Sequence, residues 1–202
     1  IVRNAFAHHF PYIDKYFTPF FPAAKKMNKK IVRDLIPENN PGITLVPQLM
    51  LNDAEDLRMM GAQLEQMGFT TVNLNCGCPS GTVVSKNRGA GILKDRFLEK
   101  AFAICPLLIS VKTRIGMESE DEWARLCEIY ARYPMEELIV HPRVRSDYYS
   151  NTPRMDAFAM AVEKIKVPLC YNGDINTVED YERIHTLFPE VDRVMIGRGL
   201  LA

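Results

Sequence analysis

Apolar and polar positions follow two periods along this chain. Residues 44–50 and 70–74 are short runs of β-branched and apolar side chains bounded by turn residues. Similar runs recur at 107–114, 138–141, 167–172 and 193–197; such runs predict buried strands. Between them the apolar residues take helical spacing. One helix is predicted from a capping-box-like Asn52 and Glu55 to Met67, closed by Gly68, and one lies around 95–104. A third is capped by Ser119 and Glu122 and ends before Pro134, a fourth covers 155–165, and a fifth runs from Thr177 to Phe188. Ahead of this rhythm, 2–10 is spaced as a helix, the aromatic run 16–21 predicts a short strand, and 25–35 reads as a basic helix or loop. Strands alternating with helices at this scale predict a parallel sheet with right-handed crossovers.

A polar or small residue stands at the end of each strand run: Gln48, Asn75, Lys112, His141, Asn172 and Gly197, spaced 25 to 37 residues apart. That spacing is about one βα unit each time. A TIM (β/α)8 barrel explains it best, because its C-terminal strand ends converge on one mouth. A doubly wound open sheet is the alternative, and it would gather its chemistry at one switch point.

Composition narrows the class. The chain has 202 residues, 47% hydrophobic and 25% charged, which is globular and large enough for a substantial core. Twenty-five basic residues balance twenty-five acidic ones, so net charge favours neither nucleic acid nor membrane, and such a partner must be argued from local patches. Two patches exist: Lys86, Arg88, Lys94, Arg96 and Lys100, and Lys25, Lys26, Lys29, Lys30 and Arg33. Both suit RNA phosphates, although solvated helix faces have the same composition. Five cysteines form an odd set with no signal peptide or long apolar run, which predicts a reducing, cytoplasmic setting and no membrane. Cys76 and Cys78 lie too close for a zinc ribbon and lack a matching second pair, so no metal site is expected.

The candidate chemistry sits at the strand ends. Cys78 precedes Pro79 in a polar turn, so its thiol is accessible, and an ordinary thiol is protonated at neutral pH and can act as a general acid. Cys76 is the bland neighbour. Lys112 ends an apolar strand, where a lysine must be paired or functional unless it snorkels to the surface. His141 is placed in the same way, with a satisfied core histidine as the alternative. Gln48 can donate and accept at once, as an amide-edged ring requires. Asn172-Gly173-Asp174 and Gly197-Arg198-Gly199 close the last two strands. Exposed backbone N–H groups and a guanidinium there suit a phosphate; ordinary tight turns are the competing explanation.

The motif set resembles the tRNA-dihydrouridine synthases. The residues that carry the resemblance are Asn75-Cys76-Gly77-Cys78-Pro79 with Val83 and Gly89-Ala90-Gly91, Pro47-Gln48-Leu49, Val111-Lys112-Thr113-Arg114, Val140-His141-Pro142-Arg143, Asn172-Gly173-Asp174 and Gly197-Arg198-Gly199. The resemblance implies a barrel that binds FMN through Gln48, Lys112, His141, Asn172, Gly173, Asp174, Gly197 and Arg198. It implies Cys78 as the catalytic acid, and Asn75 and Arg143 as substrate contacts. In the implied reaction NADPH reduces the flavin, hydride passes to uracil C6, and Cys78 protonates C5 of a uridine in tRNA. Pro142 and the loop 144–153 depart from the family pattern, and the first barrel strand, the last helix and a C-terminal helical domain are expected to be missing from this chain. Two other readings remain at this level: a dihydroorotate dehydrogenase-like barrel acting on a free pyrimidine, and a non-catalytic RNA-binding barrel.

Overall fold

The computed structural model describes residues 2–81 and 95–201. Val83, Lys86, Arg88, the Gly89-Ala90-Gly91 run and Lys94 lie outside the described residues. In chain order the elements are α1 (Val2–His9), β1 (Tyr16–Phe17), α2 (Lys29–Leu35), β2 (Leu45–Val46), β3 (Gln48–Leu49), α3 (Ala54–Gln66), β4 (Thr71–Cys76) and α4 (Asp95–Ile104). They continue with β5 (Leu108–Arg114), α5 (Glu122–Tyr130), β6 (Glu137–His141), α6 (Met155–Lys164), β7 (Leu169–Tyr171), α7 (Val178–Leu187) and β8 (Arg193–Val194).

All strand pairs are parallel, and β3 to β8 form one sheet in sequential order. No reversal of order occurs, so the doubly wound alternative is excluded: it needs a switch point, and this sheet has none. β1 pairs with β2, and a further parallel bridge joins Phe21 to Leu49. Thus β2 and β3 are two halves of one strand, interrupted at Pro47, which has no N–H to give the ladder. The aromatic run predicted as a strand pairs at its start and at Phe21, with Thr18 donated to the next strand: its Oγ1 accepts the Gln48 N–H at 2.9 Å.

The sheet curls as a barrel does. Glu137, on β6 and 1% exposed, holds Arg193 of β8 at 3.0 Å and Lys15, just before β1, at 3.1 Å. One carboxylate therefore ties both ends of the strand sequence across the N-terminal side of the lumen. Strand alternation then sorts the side chains. The register aligns Gln48 with Asn73 and Ser110, Asn75 with Lys112, and Arg114 with His141 on the inner face. Val72, Leu74, Cys76, Val111, Leu138 and Val140 face the helices and are buried with Leu57, Met60, Leu98, Trp123 and Phe158.

The helices start and stop where local chemistry dictates, with one change from the sequence reading. α3 is capped by Asp53, whose carboxylate accepts the Glu55 N–H at 2.7 Å, and not by Asn52; it ends before Gly68 at φ +89. Ahead of α5, Ser119 and Glu122 cap the first turn as expected: Ser119 Oγ accepts the Asp121 N–H at 3.2 Å and Glu122 Oε1 accepts the Ser119 N–H at 3.1 Å, taking those of Met117 and Glu118 as well because the preceding loop folds back over it. Thr177 caps α7 as expected, in a reciprocal box with Asp180. Outside the sheet, the Tyr130 hydroxyl donates to Thr113 Oγ1 at 2.8 Å and Trp123 Nε1 donates to Ala157 O at 2.6 Å, fixing α5 to β5 and α6.

Candidate active site

At the C-terminal strand ends, inward polar residues of adjacent strands form a chain of amides. Gln48 Nε2 donates to Asn73 Oδ1 at 2.8 Å, and Asn73 Nδ2 donates to Ser110 Oγ at 2.9 Å. Asn75 Nδ2 donates to Gln48 Oε1 at 2.9 Å, while Asn75 Oδ1 accepts the Gly77 N–H at 3.1 Å. Gln48 is thereby oriented from both sides, yet keeps one N–H and one lone pair, and so does Asn75. Asn73, which the sequence reading passed over, fixes the rotamer of Gln48. Its signal was its place two residues before Asn75 on the same face.

Gly77 lets the cysteine turn press on β5: a Cβ there would come within 3.2 Å of the Thr113 carbonyl carbon. The next residue, Cys78, is half-buried with a free thiol. Cys76 faces the core at 1% exposure, and burial pushes its thiol up to about 12, so it has no acid role.

Lys112 carries the decisive electrostatics. Burial, and then the nearby Arg114, lower its ammonium from 10.5 to about 8. Among the described residues no carboxylate pairs with it. A desolvated cation without a counter-ion is costly unless an anion arrives. His141, 6% exposed, is held neutral, its pKa driven far down by burial and then by Lys112, Arg114 and Arg143. Arg143 Nη1 lies 3.0 Å from His141 Nε2, and an arginine has only protons to give, so Nε2 accepts and Nδ1 carries the hydrogen.

Arg143 is the main departure from expectation. It is 1% exposed, and all its N–H groups are engaged: Nε with Ser150 O and Asn151 O, Nη1 with His141 and Asp174, Nη2 with Asn151 O and Asp174. Expected as a substrate contact, it has no donor left for one. Asp174 is shared between Arg143 and Arg198, and Arg143 holds its carboxyl below the usual range. The turns after β7 and β8 meet closely. Asn172 Nδ2 donates to Met195 O at 2.8 Å, and a Cβ on Gly199 would lie 1.9 Å from Ile175 O. A Cβ on Gly173 would strike the buried Tyr171 ring. Gly197 has open space beside it, and Arg198 remains largely exposed.

Two more residues belong to the site and were not assigned from sequence. Arg114, 2% exposed, donates through Nε to Gly77 O at 3.0 Å, through Nη1 to Val144 O at 2.9 Å, and through Nη2 to Tyr148 O at 2.6 Å. It staples the cysteine turn to the loop after β6. Tyr149 stands with its ring 4.4 Å from the Arg198 guanidinium, 5.5 Å from that of Arg114 and 6.3 Å from the His141 ring. Arg114 was visible only as a second cation two residues beyond Lys112 on one face. The mouth therefore concentrates Lys112, Arg114, Arg143 and Arg198 against Asp174, and suits an anionic ligand. Among the described residues no His, Cys, Asp or Glu group is arranged to hold a metal, and no helix is long and apolar enough to cross a membrane.

The family model for dihydrouridine synthase (Dus) matches residues 14–202. The chain belongs to that family. It is 29% identical over 198 residues to a tRNA-dihydrouridine(16) synthase of Pseudomonas syringae pv. tomato, covering 95% of this chain and 58% of the relative. A protein of the same description from Shigella flexneri is 31% identical over 186 residues, covering 85% of this chain and 59% of the relative. The chain thus spans less than two thirds of these curated Dus relatives. A solved variant of NCR from Zymomonas mobilis shares the fold, with TM-score 0.58 at 12% identity over 90% of this chain and 70% of that one. The barrel of the Dus family, its strands in sequential order, is the fold of this chain.

Proposed function

We propose that this Dus chain forms the flavin-binding catalytic barrel of an enzyme that reduces the C5=C6 bond of uridine in tRNA, with FMN as cofactor and NADPH as reductant. The observation that carries the reading is the half-buried Lys112 ammonium, without a counter-ion among the described residues, in one inner face with Gln48 and the neutral His141. That donor set fits a flavin ring, whose pyrimidine edge needs mixed donors and acceptors and gains negative charge on reduction. Bound FMN supplies the hydride that reaches uracil C6.

The chain's own residues do the rest. Lys112 balances negative charge at the ring, Gln48 offers its remaining N–H and lone pair, and His141 offers Nδ1–H. The Asn172-Gly173 turn, Gly197 and Arg198 hold the phosphate, with Asp174 aiming Arg198 rather than touching the ligand. Asn75 holds the uracil edge. The Cys78 thiol gives its proton to C5 as the hydride arrives at C6, which leaves a thiolate and avoids a free enolate. Arg143 positions His141 and Asp174. The five free cysteines suit a reducing cytoplasm.

The test is the visible spectrum of the full-length protein, followed by NADPH oxidation with unmodified tRNA. A yellow protein is expected; Cys78→Ala should keep flavin reduction but lose roughly 10²–10⁴-fold in dihydrouridine formation. A colourless protein that releases no FMN on denaturation would sink the reading. Cys78→Ala matching wild type on tRNA would remove only the acid role. Turnover of dihydroorotate or free uracil, with tRNA ignored, would move the assignment to a free pyrimidine.

A further inference from the structure

Tyr148 adopts φ 50 and ψ −95, a region that L side chains rarely enter, immediately beside the site. Such a conformation costs about 1–3 kcal/mol and persists only when its surroundings impose it. The imposing contacts are clear. Arg114 clamps the Tyr148 carbonyl from below, and the Tyr148 N–H is fixed to Arg145 O at 3.1 Å. Yet the ring does not recover the cost by burial, since Tyr148 is 48% exposed. The Arg145 guanidinium lies 5.8 Å from the ring centre. Arg145 is itself anchored, to Pro79 O at 3.3 Å and to Glu118 at 2.9 Å, and Pro79 follows Cys78 directly. Tyr149, 53% exposed, is already engaged with its ring over Arg114 and Arg198, whereas the Tyr148 ring meets Arg145.

We propose that Tyr148 and Arg145 form a stacking ledge for the RNA base that neighbours the target uridine. This inference rests on the tRNA reading above. A uridine drawn into the mouth leaves the bases beside it without a stacking partner, and replacing that partner is the cheapest way to hold the opened strand. An exposed aromatic ring next to a fixed guanidinium has the chemistry for it: the ring takes the base face, and the unspent Arg145 N–H groups take a phosphate. Base stacking is sequence-tolerant, so the ledge adds affinity without reading the neighbouring base.

Equilibrium binding of an unmodified tRNA transcript to the full-length, FMN-loaded protein tests this. Tyr148→Ala should weaken binding about tenfold, Tyr148→Phe should retain it, and both should leave FMN affinity and the slope of log K against log salt unchanged, because no charge is removed. Tyr148→Gly relieves the backbone, so it should raise Tm while binding as weakly as Tyr148→Ala. Tyr148→Trp adds a direct readout: its fluorescence should fall on adding tRNA by more than that of the wild-type protein titrated in parallel, whose Trp123 is 1% exposed. Binding of Tyr148→Ala within twofold of wild type, or an unchanged Tyr148→Trp signal, would overturn the ledge alone. Wild-type protein that ignores tRNA would overturn the functional reading as well.

Discussion

At the scale of single residues, the site is paid for in stability at Lys112. Its folded pKa of about 8 lies below the ordinary 10.5, so folding works against its charge. Below pH 8 the lysine is protonated in both states and the whole penalty is present. Between 8 and 10.5 the folded state gives up its proton while the unfolded state keeps it, so stability rises with pH through that window. Lys112→Met should therefore stabilise the flavin-free protein at pH 7 by up to roughly 3 kcal/mol and abolish the alkaline rise. The same change should weaken flavin binding, since the ring then loses its balancing charge. Denaturant titrations across pH, set beside a flavin titration, check both signs. A Lys112→Met protein less stable than wild type would mean that the ammonium already has a partner. His141 makes the complementary point: kept neutral by burial and then by the cations around it, it can serve as a fixed Nδ1–H donor through the physiological range.

At the scale of elements, Arg114 joins two of them that carry different parts of the chemistry. Its three carbonyl partners belong to the cysteine turn and to the loop after β6, and a lysine, a single point charge, cannot serve all three. Arg114→Lys should cost roughly 2–4 kcal/mol, the sum expected when buried carbonyls lose charged donors. Hydrogen exchange should quicken at residues 77–80 and 144–150 together, while α7 and its Thr177 cap stay protected. Exchange that quickens on only one side would show that the two elements are held independently. This link also explains what could be read beforehand. Strands and helices were legible because apolar periodicity is local, and the grouping of Gln48, Asn75, Lys112 and His141 followed from their places at successive strand ends. Arg114 was not, since its partners lie 30 or more residues away in sequence and meet it only after the sheet forms. Arg143 shows in the sequence as a cation near a strand end, but not that the carbonyls of the loop just beyond it fold back to consume it together with the distant Asp174. The Asp53 cap was a lesser error, in which two adjacent polar residues, Asn52 and Asp53, compete for the same N–H group.

At the scale of the whole molecule, the barrel separates a stabilising end from a chemical one. Glu137 belongs to the first. It is buried at 1% exposure and answers both Lys15 and Arg193, whose side chains are 19% and 43% exposed. Because those two residues flank opposite ends of the strand sequence, the carboxylate does across the lumen what a closing ladder would do along the rim. Glu137→Gln removes the charge but keeps the volume. It takes the carboxylate from Arg193 and leaves Lys15 with Glu136, at 3.4 Å, while the partial exposure of both cations lets water take up some of the cost. A loss of roughly 1–3 kcal/mol is expected, below the 3–5 kcal/mol of a fully buried broken pair. The double change Lys15→Met with Glu137→Gln should cost less than the sum of its parts, since the two substitutions remove the two halves of one ion pair. Flavin affinity measured well below Tm should stay at the wild-type value in both proteins, because Gln48, Lys112 and His141 keep their strands and their register. A Glu137→Gln protein with normal stability would show that β1 is held to the far strands by side-chain packing alone. One with normal stability and weakened flavin binding would show that the cluster sets the shape of the mouth from the opposite end of the lumen.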